Sequence, residues 1–218
     1  MSGFFVTDML LSLGAAHGRT GQAMKPEGVV IHYVGNPGSS AAANRNYFEN
    51  GSGGNGVSAH YIIGLDGEII RCVPDDERAM HAGKSYGPAW DSMAKTNNAR
   101  YIGVETCHPD AAGKFNDKTT AALVWLVREL CQKWGLDPAK DVIRHYDCAG
   151  KQCPMYYVKN PAEWEKLKAA FAPAPATFEQ NCDKLERAGI MNPAAYWKQR
   201  RGIDPYFEGL VLNMAERV

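Results

Sequence analysis

Two short apolar runs in this chain each end in a histidine, and with one later cysteine they constrain the fold more than any other feature. His32 follows the run 28–31, His145 follows the run 142–144, and Cys153 comes shortly afterwards. Two imidazoles and one thiolate form a three-ligand set for zinc, which leaves a fourth position open as in catalytic zinc sites. The histidines lie far apart in sequence, so only a fold that brings two strand ends together can assemble this set.

Short β-rich runs alternate with helical patterns along most of the chain. The predicted strands are 29–34, 59–63, 68–73, 102–106 and 142–145. A turn over 65–68 predicts that the second and third strands form a hairpin. Helices are predicted over 118–134, where apolar residues recur at helical spacing up to Gly135, and over 161–171 with Asn160 as its cap. This alternation predicts an α/β fold with a mixed central β-sheet flanked by helices.

The chain carries no strong signal for a membrane or for nucleic acid. No apolar run approaches the roughly 18 residues that span a bilayer. Residues 1–11 lack a basic region and are interrupted by Asp8, so we predict an amphipathic first helix and no signal peptide, and expect synthesis in the cytoplasm. Lys and Arg together number 24, as do Asp and Glu, so net charge gives no reason to expect nucleic acid.

An alternating Ala-Pro segment divides the chain. We expect a catalytic domain over 1–171, with its core at about 25–171, and a semi-rigid linker over 172–177. Residues 178–218 read as three short helices, in which Asx-Pro pairs begin the second and third. So short a segment has little core of its own. It is expected to dock on the first domain, to pair with a second copy as a homo-oligomer, or to bind a partner.

Six cysteines are dispersed through the chain, and its ordinary core composition does not require a disulfide framework. We therefore expect reduced thiols. Cys148 is a competitor of Cys153 for the metal, and the two could also close a small disulfide in an oxidising environment.

Several stretches, in order, resemble the zinc-dependent N-acetylmuramoyl-L-alanine amidases of the amidase-2 family, whose fold is related to that of peptidoglycan recognition proteins. The matching stretches are 29–33, 57–63, 80–83, 101–107 and 143–145 with 151–154. The combination is most similar to bacteriophage lysins and Gram-positive autolysins. The resemblance implies zinc held by His32, His145 and Cys153, peptidoglycan as the substrate, and action on the bacterial cell wall after release.

Glu105 is the next candidate residue. In the strand around it, Ile102 and Val104 point to one face and Glu105 to the other, beside the space left by Gly103. The resemblance implies that Glu105 is a general base that takes a proton from water and passes it to the leaving amine. The structural alternative is a salt bridge, for instance with Arg144.

Three further residues have weaker assignments. By resemblance, Lys151 is expected to stabilise an oxyanion, against the alternative of an exposed loop lysine. By resemblance, His81 is expected to line the substrate groove, against the alternative of a structural hydrogen bond. His60 is expected to be a packed histidine. Some relatives carry a tyrosine thought to be catalytic where this chain has Ala59. This difference makes Glu105 the stronger candidate for the catalytic role.

Two other functions compete with the zinc amidase. One is a non-catalytic peptidoglycan-binding module, but such relatives generally lack a complete ligand set. The other is a thiol hydrolase that uses Cys153 as nucleophile and His145 as base, which leaves His32 unexplained.

Exposed aromatic residues in the segment 84–98, Tyr86 and Trp90, are candidates for stacking on sugar rings or for anchoring that loop.

Overall fold

The computed structural model describes residues 3–84, 86, 97–173, 177–191, 194–199, 201 and 205–218. Contacts within the chain divide it into two compact units, Met1–Ala172 and Pro173–Val218. Among the described residues, no helix combines the length and the apolar character needed to cross a bilayer.

The first unit is built on a mixed six-stranded sheet. Its strands are β1 (Val6–Asp8), β3 (Gly28–Ile31), β4 (Tyr61–Ile63), β5 (Ile69–Arg71), β7 (Tyr101–Thr106) and β8 (Val142–Arg144). They lie in the order β1-β5-β4-β7-β3-β8. The pairs β4–β7, β7–β3 and β3–β8 are parallel, and β4–β5 is the predicted antiparallel hairpin. Strands β2 (Arg19–Ala23) and β6 (Glu77–Ala79) form a separate antiparallel pair. The predicted α/β class with a mixed sheet is confirmed.

Helices cover this sheet. Those of the first unit are α1 (Ala41–Glu49), α2 (Asp117–Trp134), α3 (Pro138–Asp141), α4 (His145–Ala149), α5 (Met155–Lys159) and α6 (Pro161–Ala170). Helix α2 begins where the Asn116 side chain accepts from the Thr119 N–H, and it ends at Gly135, which has a left-handed φ of 68°. Its apolar face packs with the inner strands in the largest buried cluster, which includes Leu123, Val127 and Leu130.

The second unit has a small core of its own. Its helices are α7 (Phe178–Arg187), α8 (Ala194–Lys198) and α9 (Pro205–Ala215), three short helices as predicted. A capping box at Thr177 begins α7, since its hydroxyl accepts from the Gln180 N–H and the Gln180 side chain accepts from the Thr177 N–H. The buried residues are Phe178, Cys182, Leu185, Met191, Ala194, Val211 and Ala215.

One local prediction is wrong, and another holds only in part. The first segment is not an amphipathic helix, because Val6–Asp8 forms an edge strand that pairs with Ile69–Arg71 and is anchored by Arg71 binding Asp8 at 2.7 Å. A parallel edge strand is held by bonds to distant residues, which local periodicity does not reveal. Asn160 occupies the N-cap position of α6 as predicted, but its side chain makes no capping hydrogen bond, because its amide donates to the Tyr156 carbonyl instead.

Candidate metal centre

The parallel strands β3 and β8 end side by side, and the candidate centre begins there. Ile31 pairs with Arg144 at their carboxyl ends, so the next residues, His32 and His145, are neighbours. Their ring centroids lie 4.5 Å apart. The strand predicted over 142–145 ends one residue early, and His145 instead opens the short helix α4.

Cys153 reaches the same place because the chain reverses after α4. Gly150 ends that helix with a left-handed φ of 75°. The Cys153 carbonyl then accepts from the Tyr146 N–H at 2.9 Å, which fixes the returning loop against the helix. The Tyr33 N–H lies 3.4 Å from Cys153 Sγ, a contact that favours a thiolate there.

His32, His145 and Cys153 are buried and form a converging set of donor atoms. One donor atom from each lies within 4.8 Å of the others, and Cys153 Sγ is 3.8 Å from His32 Nδ1. Buried polar atoms normally have hydrogen-bond partners. Neither ring nitrogen of His145 has one among the residues that the structure describes. The unpartnered nitrogens and the donor chemistry fit a bound metal ion.

Burial sets the protonation of these three groups. It lowers the pKa of His32 well below the ordinary value, with the neighbouring His145 adding to the effect, and it lowers the pKa of His145 to about 3. Both rings are therefore neutral near pH 7, the form that binds metals. Burial also raises the pKa of the Cys153 thiol, and a bound cation would reverse that preference.

Glu105 lies beside this set on β7. Ile102 and Val104 belong to the core under α2, and Glu105 extends from the opposite face of the strand. Its Oε1 is 4.0 Å from His32 Nδ1, and its buried Oε2 has no hydrogen-bond partner in the described part of the chain. Burial raises the pKa of Glu105 to about 8, against the opposing charge of Lys151. The carboxyl group can therefore exchange a proton near neutral pH.

The alternative of a salt bridge between Arg144 and Glu105 is wrong. The Arg144 guanidinium binds Asp147 at 2.7 Å and donates to the Tyr157 carbonyl at 2.9 Å. Through these contacts, Arg144 holds α4 and the segment that follows it in place.

Lys151 lies close enough to act electrostatically on the centre. Its positive charge lowers the pKa of both Glu105 and His145, and its side chain is partly buried. The expected role as an oxyanion stabiliser remains a prediction.

His60 and His81 both form hydrogen bonds within the protein. His60 is fully buried, with Nε2 donating to the Glu77 carbonyl and Nδ1 accepting from the Gly103 N–H, as expected for a packed histidine. His81 uses both ring nitrogens, 2.9 Å from the Tyr101 carbonyl and 3.0 Å from His32 Nε2. A polar contact between His81 and substrate would require one of these bonds to break.

Cys148 does not join the converging set. It packs with Val30, Ala82 and Ala149 in an apolar cluster, and its thiol lies 3.5 Å from the His145 carbonyl. Both Cys148 and Cys153 are free thiols, so the small disulfide is not formed.

The predicted aromatic loop is described only in part. Tyr86 is 48% exposed and its ring centroid lies 6.4 Å from that of His145, at the rim of the centre. Trp90 lies outside the described residues.

Sequence reasoning missed two residues that support the centre. Tyr33 contributes through its backbone, and any residue other than proline could do the same. The Asn98 side-chain oxygen accepts from the backbone N–H groups of His81 and Ala82 at 2.9 and 2.7 Å. The only signal for Asn98 was an amide side chain shortly before a strand.

The same region of the chain matches a known family. The family model described as Amidase_2, N-acetylmuramoyl-L-alanine amidase, matches residues 22–156. The chain belongs to this family. The part that matches the amidase-2 family contains His32, Glu105, His145 and Cys153.

Individual relatives agree with this assignment. N-acetylmuramoyl-L-alanine amidase BlyA of Bacillus subtilis (strain 168) is 36% identical over 160 residues, which cover 68% of this chain and 42% of the relative. A probable N-acetylmuramoyl-L-alanine amidase of Bacillus licheniformis is 35% identical over 141 residues, which cover 63% and 38% of the two chains. This amidase-2 chain therefore spans about two fifths of the length of the curated relatives that it matches.

A solved structure shares the fold. A mutant endolysin from Bacillus subtilis is 29% identical with a TM-score of 0.62, and the match covers 78% of this chain and 100% of that one. The mixed sheet flanked by helices is thus an amidase-2 fold.

Proposed function

We propose that this amidase-2 chain is a zinc-dependent N-acetylmuramoyl-L-alanine amidase acting on the bacterial cell wall. It would hydrolyse the amide bond between N-acetylmuramic acid and the L-alanine of the stem peptide in peptidoglycan. The observation that carries the proposal is the convergence of three ligand atoms within 4.8 Å of one another, beside a Glu105 carboxyl oxygen that has no hydrogen-bond partner among the described residues. The family and the names of the relatives supply the substrate class.

Zinc suits the proposed ligands. Two neutral imidazoles and one thiolate from His32, His145 and Cys153 are typical zinc donors, and three protein ligands leave a position for chemistry. When bound, zinc would supply Lewis-acid chemistry, which polarises a carbonyl group and acidifies a water molecule.

Proton transfer and stabilisation of negative charge would be carried out by two side chains beside these ligands. Glu105, with its pKa raised to about 8 by burial, is suited to take a proton from the attacking water and to deliver it to the leaving nitrogen. The Lys151 ammonium would stabilise negative charge that develops on the former carbonyl oxygen.

The two competing functions have less support. A recognition module needs no ligand set, and it would not need a buried carboxyl group whose pKa is raised beside that set. A thiol hydrolase needs a reactive thiolate, whereas burial raises the pKa of Cys153. The ring nitrogen that contacts its sulfur at 3.8 Å belongs to His32 and not to His145, the expected base.

Digestion of purified peptidoglycan tests the proposal. We expect mass spectrometry to detect free L-alanine amino termini on released stem peptides and intact lactyl groups on the glycan. Treatment with a chelator should abolish both products, and added zinc should restore them. Cleavage at a glycosidic bond, or cleavage that survives chelation and stops on alkylation, would contradict the zinc amidase.

We infer a separate role for the second unit in targeting or assembly. Within that unit, Ile190, Leu210, Leu212 and Val218 are exposed although they are apolar. Exposed apolar side chains of this kind often mark interaction surfaces. The proposed candidates for the partner are peptidoglycan itself and a second copy of the chain.

A chain that ends at Ala172 tests this role. We expect it to cleave soluble muropeptides as the full chain does, because the proposed site residues all belong to the first unit. It should cleave intact walls about 10²-fold more slowly than the full chain. This loss is near the lower end of the increase in overall affinity that a second linked binding module provides. Light scattering on both chains distinguishes wall binding from self-association. Loss of activity on the small substrate would instead place the second unit in the core of the catalytic domain.

A further inference from the structure

Four imidazole rings lie in a row through the first unit. The ring centroids of His60 and His81 are 5.8 Å apart, those of His81 and His32 are 5.1 Å apart, and those of His32 and His145 are 4.5 Å apart. Only the last two rings belong to the candidate ligand set. His81 is not in that set, so the contact between its ring and that of His32 needs a separate explanation.

The hydrogen bonds in this row have a defined direction. A carbonyl oxygen only accepts, so the contact of 2.9 Å to Tyr101 requires the proton of neutral His81 to be on Nε2. His81 Nδ1 is then an acceptor, and the contact of 3.0 Å requires His32 Nε2 to donate to it. The remaining His32 nitrogen, Nδ1, keeps its lone pair and is the atom 3.8 Å from Cys153 Sγ.

The surroundings of His81 hold its ring in this orientation. A methyl group at Gly103 would lie 2.6 Å from His81 Cγ, so only glycine leaves room for the ring against β7. Asn98 accepts from the His81 backbone N–H at 2.9 Å. The Gly103 N–H also donates to His60 Nδ1 at 2.9 Å, and this bond holds the part of β7 that borders the His81 ring.

We propose that His81 is a positioning residue that holds His32 in its Nε2-protonated tautomer and leaves Nδ1 as the only atom of that ring able to bind metal. This inference rests on the proposed zinc site for its consequence, but the tautomer itself is a property of the metal-free chain. Without an acceptor at this place, the free His32 ring would divide between two tautomers and two orientations. Outer-shell partners of this kind typically contribute about 10–100-fold to metal affinity.

Two substitutions separate positioning from simple packing. Asn at position 81 places its side-chain oxygen near the former Nδ1, so His81→Asn keeps the acceptor for His32. Gln reaches the former Nε2, so His81→Gln keeps a donor for the Tyr101 carbonyl but loses that acceptor. If His81 only anchors the backbone, Gln should be the better replacement; if it positions His32, Asn should be.

Nitrogen-15 NMR of histidine-labelled, zinc-free protein at pH 7 measures the tautomer directly. We expect the Nε2-protonated pattern for His32 in the wild type and in His81→Asn, and a mixture in His81→Gln. Competition with a chromophoric chelator should give zinc dissociation constants that are near wild type for Asn and about 10–100-fold weaker for Gln. Thermal unfolding of the zinc-free proteins shows whether either substitution disturbs the fold.

The outcomes are distinct. An Nδ1-protonated His32 in the wild type, or equal zinc affinity in the Gln variant and the wild type, would overturn the role of His81. If the replacements unfold the protein, Gly103→Ala provides a second route, because it displaces the His81 ring and removes no polar group. The Gly103→Ala variant should give the same mixture of His32 tautomers as His81→Gln. An unchanged Nε2-protonated pattern for His32 in this variant would also overturn the role of His81. A locked tautomer in a wild type that binds no zinc would contradict the proposed function and leave the positioning intact.

Discussion

Replacement of Glu105 by Gln is expected to lower kcat/KM on soluble muropeptides by about 10²–10⁴-fold while the protein keeps its zinc and its fold. The change is nearly isosteric and removes only the ability to carry a proton. Glu105 Oε1 lies 4.0 Å from His32 Nδ1, and burial raises the pKa of the carboxyl group to about 8. An amide in the same place can accept a hydrogen bond from water but cannot take its proton.

Glu163→Gln is a matched control, because Glu163 lies on α6 in an exposed pair with Lys166. We expect this control to retain full activity, since exposed ion pairs contribute little. Metal content and thermal unfolding should be measured on both variants. Turnover near that of the wild type in Glu105→Gln would show that the carboxyl group is structural. A loss of zinc in this variant would show that Glu105 helps to hold the metal.

Replacement of Cys153 by Ser is expected to remove most of the zinc, whereas Cys148→Ser should keep one zinc per chain. Cys153 Sγ converges with the two histidines, while Cys148 packs in an apolar cluster with Val30 and Ala82. Zinc affinity should fall by more than the roughly 10–100-fold that follows loss of an outer-shell partner, because a ligand is lost. A serine hydroxyl is a poor substitute for thiolate at zinc.

Each of these two cysteine variants serves as a control for the other, since both residues are buried free thiols. The measurements are metal analysis after dialysis and competition with a chromophoric chelator. Full zinc in Cys153→Ser together with loss in Cys148→Ser would show that Cys148 is the ligand. Equal losses in both variants, accompanied by lower thermal stability of the zinc-free protein, would indicate damage to the fold.

Local patterns in the sequence were sufficient for several elements. The apolar period and Gly135 predict α2 to within one residue, because a helix is held by bonds between near neighbours. The alternation around Gly103 predicts the face on which Glu105 lies, because successive side chains of a strand point in opposite directions. The turn at 65–68 predicts the β4–β5 hairpin for the same local reason. The resemblance supplied the candidate ligand set.

Other features depend on contacts that no local pattern contains. The edge strand Val6–Asp8 and the pairing of β3 with both β7 and β8 are set by hydrogen bonds between distant segments. That strand order places His32 between Glu105 and His145, and the chain reversal after α4 brings in Cys153 and not Cys148. The two bonds of His81 were also decided by the fold, because a ring's tautomer depends on the partners it meets. The sequence by itself determined which chemical groups are available, and the tertiary structure determined which of them meet and in which protonation state.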